Sequence, residues 1–116
     1  MKPVVTLTLN PAVDASSAAD KVQPIRKVRT TNERFDPGGG GINAARVIEE
    51  LGGRAFAVYL AGGNSGNVLD DLLDDLGLVY HRVHIKEPTR VSHVVFERES
   101  GEEFRFTPTG PTLEER

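Results

Sequence analysis

Asp36-Pro37-Gly38-Gly39-Gly40-Gly41-Ile42-Asn43-Ala44-Ala45-Arg46-Val47-Ile48-Glu49-Glu50-Leu51-Gly52-Gly53 is the stretch that decides the fold. Four consecutive glycines run into a segment where Ile42, Ala45, Val47, Ile48 and Leu51 recur at helical spacing on one broad face. Gly52-Gly53 is a natural helix stop. A glycine-rich turn that opens a helix gathers backbone amides and the positive end of the helix dipole at one spot. Two readings follow: a flexible turn with no ligand, or a closely approached phosphate or small polar ligand. Four adjacent glycines are entropically costly without a reason, and that favours the ligand.

Working outward, Val4-Val5-Thr6-Leu7-Thr8-Leu9 is β-branched-rich and ends at Asn10-Pro11, which predicts a buried strand and a turn. Asp14 then falls just past that strand's C-terminal end, the edge where open α/β sheets bind ligands. Residues 15–36 are polar and mixed, and are expected to form one or two exposed strands rather than core. After the helix, Ala55 to Leu60 predicts a strand closed by Ala61-Gly62-Gly63. Val68, Leu69, Leu72, Leu73 and Leu76 predict a second amphipathic helix stopped by Gly77, with Asp70, Asp71, Asp74 and Asp75 as its solvated face. Val79 to Ile85 predicts a strand. Val91 to Arg98 and Glu103 to Thr107 predict a hairpin about Glu99-Ser100-Gly101-Glu102. The alternation of β and α predicts an α/β fold with a parallel sheet covered by helices, in one domain spanning 1–116. Thr112 with Glu115 three residues on reads as the entry to another helix, so the chain reads as cut within a fold.

Composition narrows the function. Among 116 residues, 14 Lys and Arg against 17 Asp and Glu give a net charge of −3, which offers no field for nucleic acid or an anionic membrane. The absence of cysteine excludes disulfides and thiolate metal sites. No apolar run approaches a membrane span, the N-terminus lacks a signal-peptide pattern, and no Asn-x-Ser/Thr acceptor occurs. A cytoplasmic protein is expected.

Gly39-Gly40-Gly41-Ile42-Asn43-Ala44 formally satisfies G-x-G-x-x-A. A dinucleotide site also wants an acid at the end of the next strand, where this chain has Ala61-Gly62-Gly63. A P-loop is excluded because no Gly-Lys pair occurs. What remains is Asp14 at a strand end, a glycine platform and Asn43 in the first turn of a helix. A carboxylate accepts from hydroxyls and an amide both donates and accepts, so the set suits a polyhydroxylated ligand such as a sugar. Asp14 alone could equally be a turn residue after Pro11.

Thr6-Leu7-Thr8-Leu9-Asn10-Pro11-Ala12-Val13-Asp14 followed by Pro37-Gly38-Gly39-Gly40-Gly41-Ile42-Asn43-Ala44-Ala45-Arg46 resembles the N-terminal signature of the ribokinase/PfkB carbohydrate kinases. The likeness continues through Leu51-Gly52-Gly53, Ala61-Gly62-Gly63 and the 90–107 hairpin. The proline-preceded run of four glycines is similar to the family's 6-phosphofructokinase branch. The 1-phosphofructokinases and tagatose-6-phosphate kinases share the opening but tend to carry a lysine in the glycine run, absent here. The resemblance implies a ribokinase-like sheet with a small β lid, here segments 15–35 and 89–107, which in many members is also a homodimer interface. It implies that Asp14, Gly39, Gly40 and Asn43 hold the sugar, that Lys27, Arg90 and Arg105 contact its phosphate, and that fructose 6-phosphate is the substrate. It further implies ATP and Mg2+ as cofactors. The family's catalytic anion hole, its aspartate base and its nucleotide site lie in the C-terminal half, so no catalytic, cofactor or metal residue is assigned in this chain. A sugar-binding or dimerisation module without catalysis is the rival of another class.

Overall fold

A computed structural model describes residues 2–111. In chain order the elements are β1 (Val4–Thr8), β2 (Ala12–Ala19), β3 (Thr31–Gly38), α1 (Gly40–Glu50), β4 (Ala55–Ala61), α2 (Gly63–Asp75), β5 (Val79–His84), β6 (Arg90–Glu97) and β7 (Glu103–Phe106). They form two sheets. One is three-stranded and parallel in the order β1-β4-β5. The other is four-stranded, in the order β3-β2-β6-β7. In it β2–β3 and β6–β7 are antiparallel hairpins, and β2 and β6 join them in parallel.

The parallel sheet and its helices follow the expected α/β alternation. Along β4, Ala55, Ala57, Tyr59 and Ala61 are buried while Phe56, Val58 and Leu60 are half-buried. Strand side chains alternate between faces, so the buried set marks the helix-covered side. Ala45 and Ile48 of α1 pack on Ala55 and Ala57. Ile42 of α1 and Leu69 and Leu73 of α2 pack with Tyr59 and Ala61. The small alanines let both helices approach that single face. α2 begins at Gly63, five residues before its apolar pattern becomes visible at Val68.

The other face of this sheet carries no helix among the described residues. Register puts Val5, Leu7, Phe56, Val58, Leu60, Val79 and Val83 there together. Val5 is 65% exposed, Leu7 61% and Val79 61%. This corrects the expectation that β1 is buried: only Thr8 of the strand is. The cause is its place as an outer strand with its valine and leucine on the uncovered side.

The second correction concerns the first part of residues 15–36, since β3 is exposed from Thr31 to Phe35 as expected. β2 is core. Ala12, Val13, Ala15 and Ala19 are buried, and Val13 belongs to the main cluster with Ile42, Tyr59 and Leu69. Asp14 is therefore the third residue of a strand, not part of a turn after β1. Alanine and serine were too small to register as a core pattern, yet two hairpins meet on this strand. Segment 20–30 is a loop, and β3 starts at Thr31. The hairpin of β6 and β7 turns at 98–102, with Gly101 at φ +76. The helix entry read from Thr112 lies outside the described residues.

A third correction concerns the four aspartates of α2. Asp71, Asp74 and Asp75 are exposed, but Asp70 is half-buried. Its carboxylate accepts from the Tyr59 hydroxyl and from Arg82 Nη1 at 2.8 Å. Burial and this carboxylate push the Tyr59 hydroxyl well above its ordinary pKa.

Candidate functional site

The glycine run resolves into four different positions. A Cβ on Gly38 would lie 2.9 Å from Asp14 Cγ, so the Asp14 carboxylate lies against that glycine. Gly39 is the N-cap of α1 with φ +123, and a Cβ there would sit 2.6 Å from Thr8 Cγ2. A Cβ on Gly41 would come 2.8 Å from Leu7 O. Only Gly40 has open space around it, with nothing within 4 Å. Three glycines are thus set by contact with β1, Pro11 or Asp14, and the fourth faces outward at the start of the helix. No side chain caps the helix start. At the helix start the Asn43 N–H donates to Gly39 O at 2.9 Å.

Strand register places the candidate side chains on the lid sheet. Residues directly paired share a face. Asp14 pairs with Asp36 on one side and Ser92 on the other, and Ala12 pairs with Arg90 two residues back on the same face. Burial raises the Asp14 carboxyl above the ordinary aspartate value, Asp36 adds to the rise, and the Arg90 charge partly opposes it. Arg90 donates from Nη2 to Asn10 O at 3.0 Å and from Nη1 to Pro108 O at 3.2 Å, while its buried Nε has no partner among the described residues. It thereby ties the β1–β2 connection and the segment after β7 to the first residue of β6. Asn10 adds a bond from Nδ2 to Thr109 O at 2.8 Å.

Asp14, Arg90 and the α1 N-terminus with Gly39, Gly40 and exposed Asn43 are therefore brought to one end of the lid sheet. Arg105 is on the same face but opposite Val94, four residues along β6 from Arg90, roughly 13 Å of strand. Its guanidinium is engaged by Glu103 at 2.7 Å. Lys27 lies in the loop beyond Ala19, five residues of β2 away from Asp14, roughly 16 Å at strand rise. There it lines an open cavity of about 260 Å³ with Lys21, Arg26 and Arg29. Register thus spaces the backbones of the three cations along the lid rather than side by side. Reading the sequence missed Gly38, whose role depends on the β2–β3 register, and Asn10, whose carbonyl rather than its side chain meets Arg90. It also missed Arg26 and Arg29, which spacing alone could have grouped with Lys27.

Among the described residues no group of three or more His, Asp and Glu converges as a metal site. No helix among the described residues is long and apolar enough to cross a membrane.

The pfkB family carbohydrate kinase model matches residues 3–114. The chain belongs to that family. It is 43% identical over 110 residues to an ATP-dependent 6-phosphofructokinase isozyme 2 of Mycobacterium tuberculosis, covering 95% of this chain and 32% of the relative. It is 42% identical over 112 residues to the isozyme 2 of Escherichia coli, covering 97% and 36%. The crystal structure of phosphofructokinase-2 from Escherichia coli with fructose-6-phosphate superposes with a TM-score of 0.91 at 42% identity, covering 99% of this chain and 38% of that one. The pfkB chain described here thus spans about a third of the length of the relatives it matches, and its fold is the corresponding part of a ribokinase-like fold.

Proposed function

We propose that this chain is the sugar-phosphate-binding part of an ATP-dependent kinase that converts fructose 6-phosphate to fructose 1,6-bisphosphate. The observation that carries the reading is the meeting of Asp14, Arg90 and the outward-facing Gly40 at the uncapped start of α1. Asp14 accepts from sugar hydroxyls, Asn43 offers an amide to another, and the α1 amides and Arg90 supply positive potential to the anionic end. The 42–43% identity to enzymes bearing that name supports the choice of sugar.

In this reading the phosphoryl acceptor is oriented here, and the base, ATP and Mg2+ are supplied by residues outside this chain. The 116 residues alone do not turn over ATP. A second copy joins through the lid. Ala15, His93, Phe35 and Phe106 form one row on the lid face opposite Asp14, where Phe35 is 46% exposed and Phe106 59%. Lys27, too far along the lid to reach Asp14 of its own chain, then serves a neighbouring copy. The cytoplasm is the expected compartment.

The test is an NMR titration with fructose 6-phosphate, fructose and inorganic phosphate. Fructose 6-phosphate is expected to shift the amides of 14, 38–43 and 90 and to bind more tightly than fructose, and Asp14→Asn is expected to abolish the shifts. Equal response to fructose and fructose 6-phosphate would refute the phosphate reading. No response at these amides would refute the site.

A further inference from the structure

Three chain crossings join the two sheets: residues 9–11, residues 39–54 with α1, and residues 85–89. The last of them ends at Thr89, which is 4% exposed. Its N–H donates to Gly62 O at 2.9 Å. Its hydroxyl accepts from Gly62 N–H at 3.0 Å. Its carbonyl accepts from the Ser65 hydroxyl at 2.6 Å. All three polar groups of Thr89 are thus used on one turn, the one that joins β4 to α2.

That turn is itself held. The Ala61 carbonyl accepts from Ile85 N–H at 3.0 Å and from Arg82 Nε at 3.2 Å. The Arg82 side chain is 8% exposed and also donates to Asp70 and to Asn67 on α2. A Cβ on Gly62 would lie 2.5 Å from Ile85 O, and one on Gly66 would lie 2.8 Å from Arg82 Nη2. Gly63 has φ +65 and would bring a Cβ 3.0 Å from Pro88 Cβ. The turn has no slack against the 85–89 crossing. The next residue after Thr89 is Arg90, which holds the carbonyls of Asn10 and Pro108.

We infer that Thr89 is a positioning residue: its three-point clasp on the Gly62–Ser65 turn sets the angle of the lid to the parallel sheet and so delivers Arg90 to the face that carries Asp14. The consequence for binding rests on the sugar-phosphate reading above, while the clasp itself does not. The hydroxyl is the decisive group. Valine matches threonine in shape but leaves the Gly62 N–H buried without an acceptor. Serine keeps the acceptor and loses only a methyl.

The experiment compares Thr89→Val, Thr89→Ser and Ser65→Ala in the 116-residue chain. The chain has no cysteine, so spin labels can be placed at Asp75→Cys on α2 and Glu102→Cys in the lid turn, both exposed. The parent and Thr89→Ser are expected to share one narrow label-to-label distance distribution. Thr89→Val is expected to broaden or displace it and to speed amide exchange at Gly62 by about tenfold, with circular dichroism unchanged. Ser65→Ala, which removes one bond of the three, is expected to fall between them. A Thr89→Val chain that keeps the parent distribution and exchange would overturn the clasp. Should Thr89→Val fail to fold, a Ser65→Ala chain with an unchanged distribution overturns it. In a parallel titration, Thr89→Val is expected to weaken fructose 6-phosphate binding about tenfold and Thr89→Ser to restore it. A parent chain that ignores fructose 6-phosphate while Thr89→Val still moves the lid refutes the sugar-phosphate reading and leaves the clasp standing.

Discussion

Alanine replacement of the four glycines, one at a time, separates backbone packing from ligand approach. At Gly41 the new Cβ meets Leu7 O at 2.8 Å, a backbone atom of β1 that moves only with its strand. Overpacking of that kind costs about 1–3 kcal/mol, or roughly 4–12 °C in Tm at about 4 °C per kcal/mol. At Gly39 the clash with Thr8 Cγ2 at 2.6 Å adds to a φ of +123, worth about 1–3 kcal/mol of strain by itself, so this variant is expected to be the least stable. At Gly38 the obstacle is the end of a short side chain, Asp14 Cγ at 2.9 Å. The carboxylate rotates away at a cost of about 0.5–1.5 kcal/mol, and the site loses its acceptor. At Gly40 nothing lies within 4 Å, and alanine only reduces unfolded-state entropy, a gain of about 0.4–1 kcal/mol. The expected order of stability is Gly40→Ala, parent, Gly38→Ala, Gly41→Ala, Gly39→Ala, read by urea denaturation followed by circular dichroism. Gly40→Ala is also expected to bind fructose 6-phosphate more weakly although it folds more stably. A Gly41→Ala chain as stable as Gly40→Ala would refute the packing argument, because both sit in the first turn of one helix and differ only in what stands opposite.

Three further outcomes are expected. The Asp14 carboxyl is raised chiefly by burial, so the folded chain keeps this proton to higher pH than the unfolded chain, and ionisation above the raised value costs stability. Asp14→Asn is therefore expected to raise Tm at pH 7, with the gain shrinking as pH falls toward the ordinary 3.8; an equal gain at both ends of a pH 4–7 series of melts would contradict it. Asp70→Ala leaves the 8%-exposed Arg82 without its anion and is expected to cost about 3 kcal/mol, whereas Asp71→Ala on the exposed side of α2 stays within about 0.5 kcal/mol, both read by denaturation. The apolar face of β1, β4 and β5 is expected to drive self-association of the isolated chain, reduced by Leu7→Glu combined with Val83→Glu; concentration-independent monomer sedimentation of the parent would refute this.

The elements with strong periodicity were legible in the sequence. α1, β4 and the β6–β7 hairpin stand where apolar spacing and glycine stops put them, and α2 does so except that it starts five residues earlier, at Gly63. β2 was not, because Ala12-Val13-Asp14-Ala15-Ser16-Ser17-Ala18-Ala19 has side chains too small to signal burial, and its core role comes from neighbours far away in sequence. The same cause hid the burial of Asp70: Tyr59 and Arg82 reach it from two other strands. The reverse error, β1 taken as buried, arose because apolar content shows which side chains prefer cover and not which face receives a helix. At the site, Asp14, Asn43 and Arg90 could be picked from residue type and motif. Their neighbourhood depended on strand register, as did the distance of Arg105 and Lys27 from it.

The parallel pairing of β2 with β6 has a kinetic consequence. Each of its rows, from Ala12–Arg90 to Ala19–Glu97, joins residues 78 apart in the chain, while β2–β3 and β6–β7 are local hairpins. Loop closure over that span must precede any reward from the contact, and such pairings form slowly. The segment enclosed between them, α1 through β5, shortens the effective gap only once it has itself collapsed. Each hairpin closes a short loop, whereas joining the two into one lid sheet closes the long one. Asp14 and Arg90 stand on different hairpins, so the face that carries both exists only where this long-range pairing has formed.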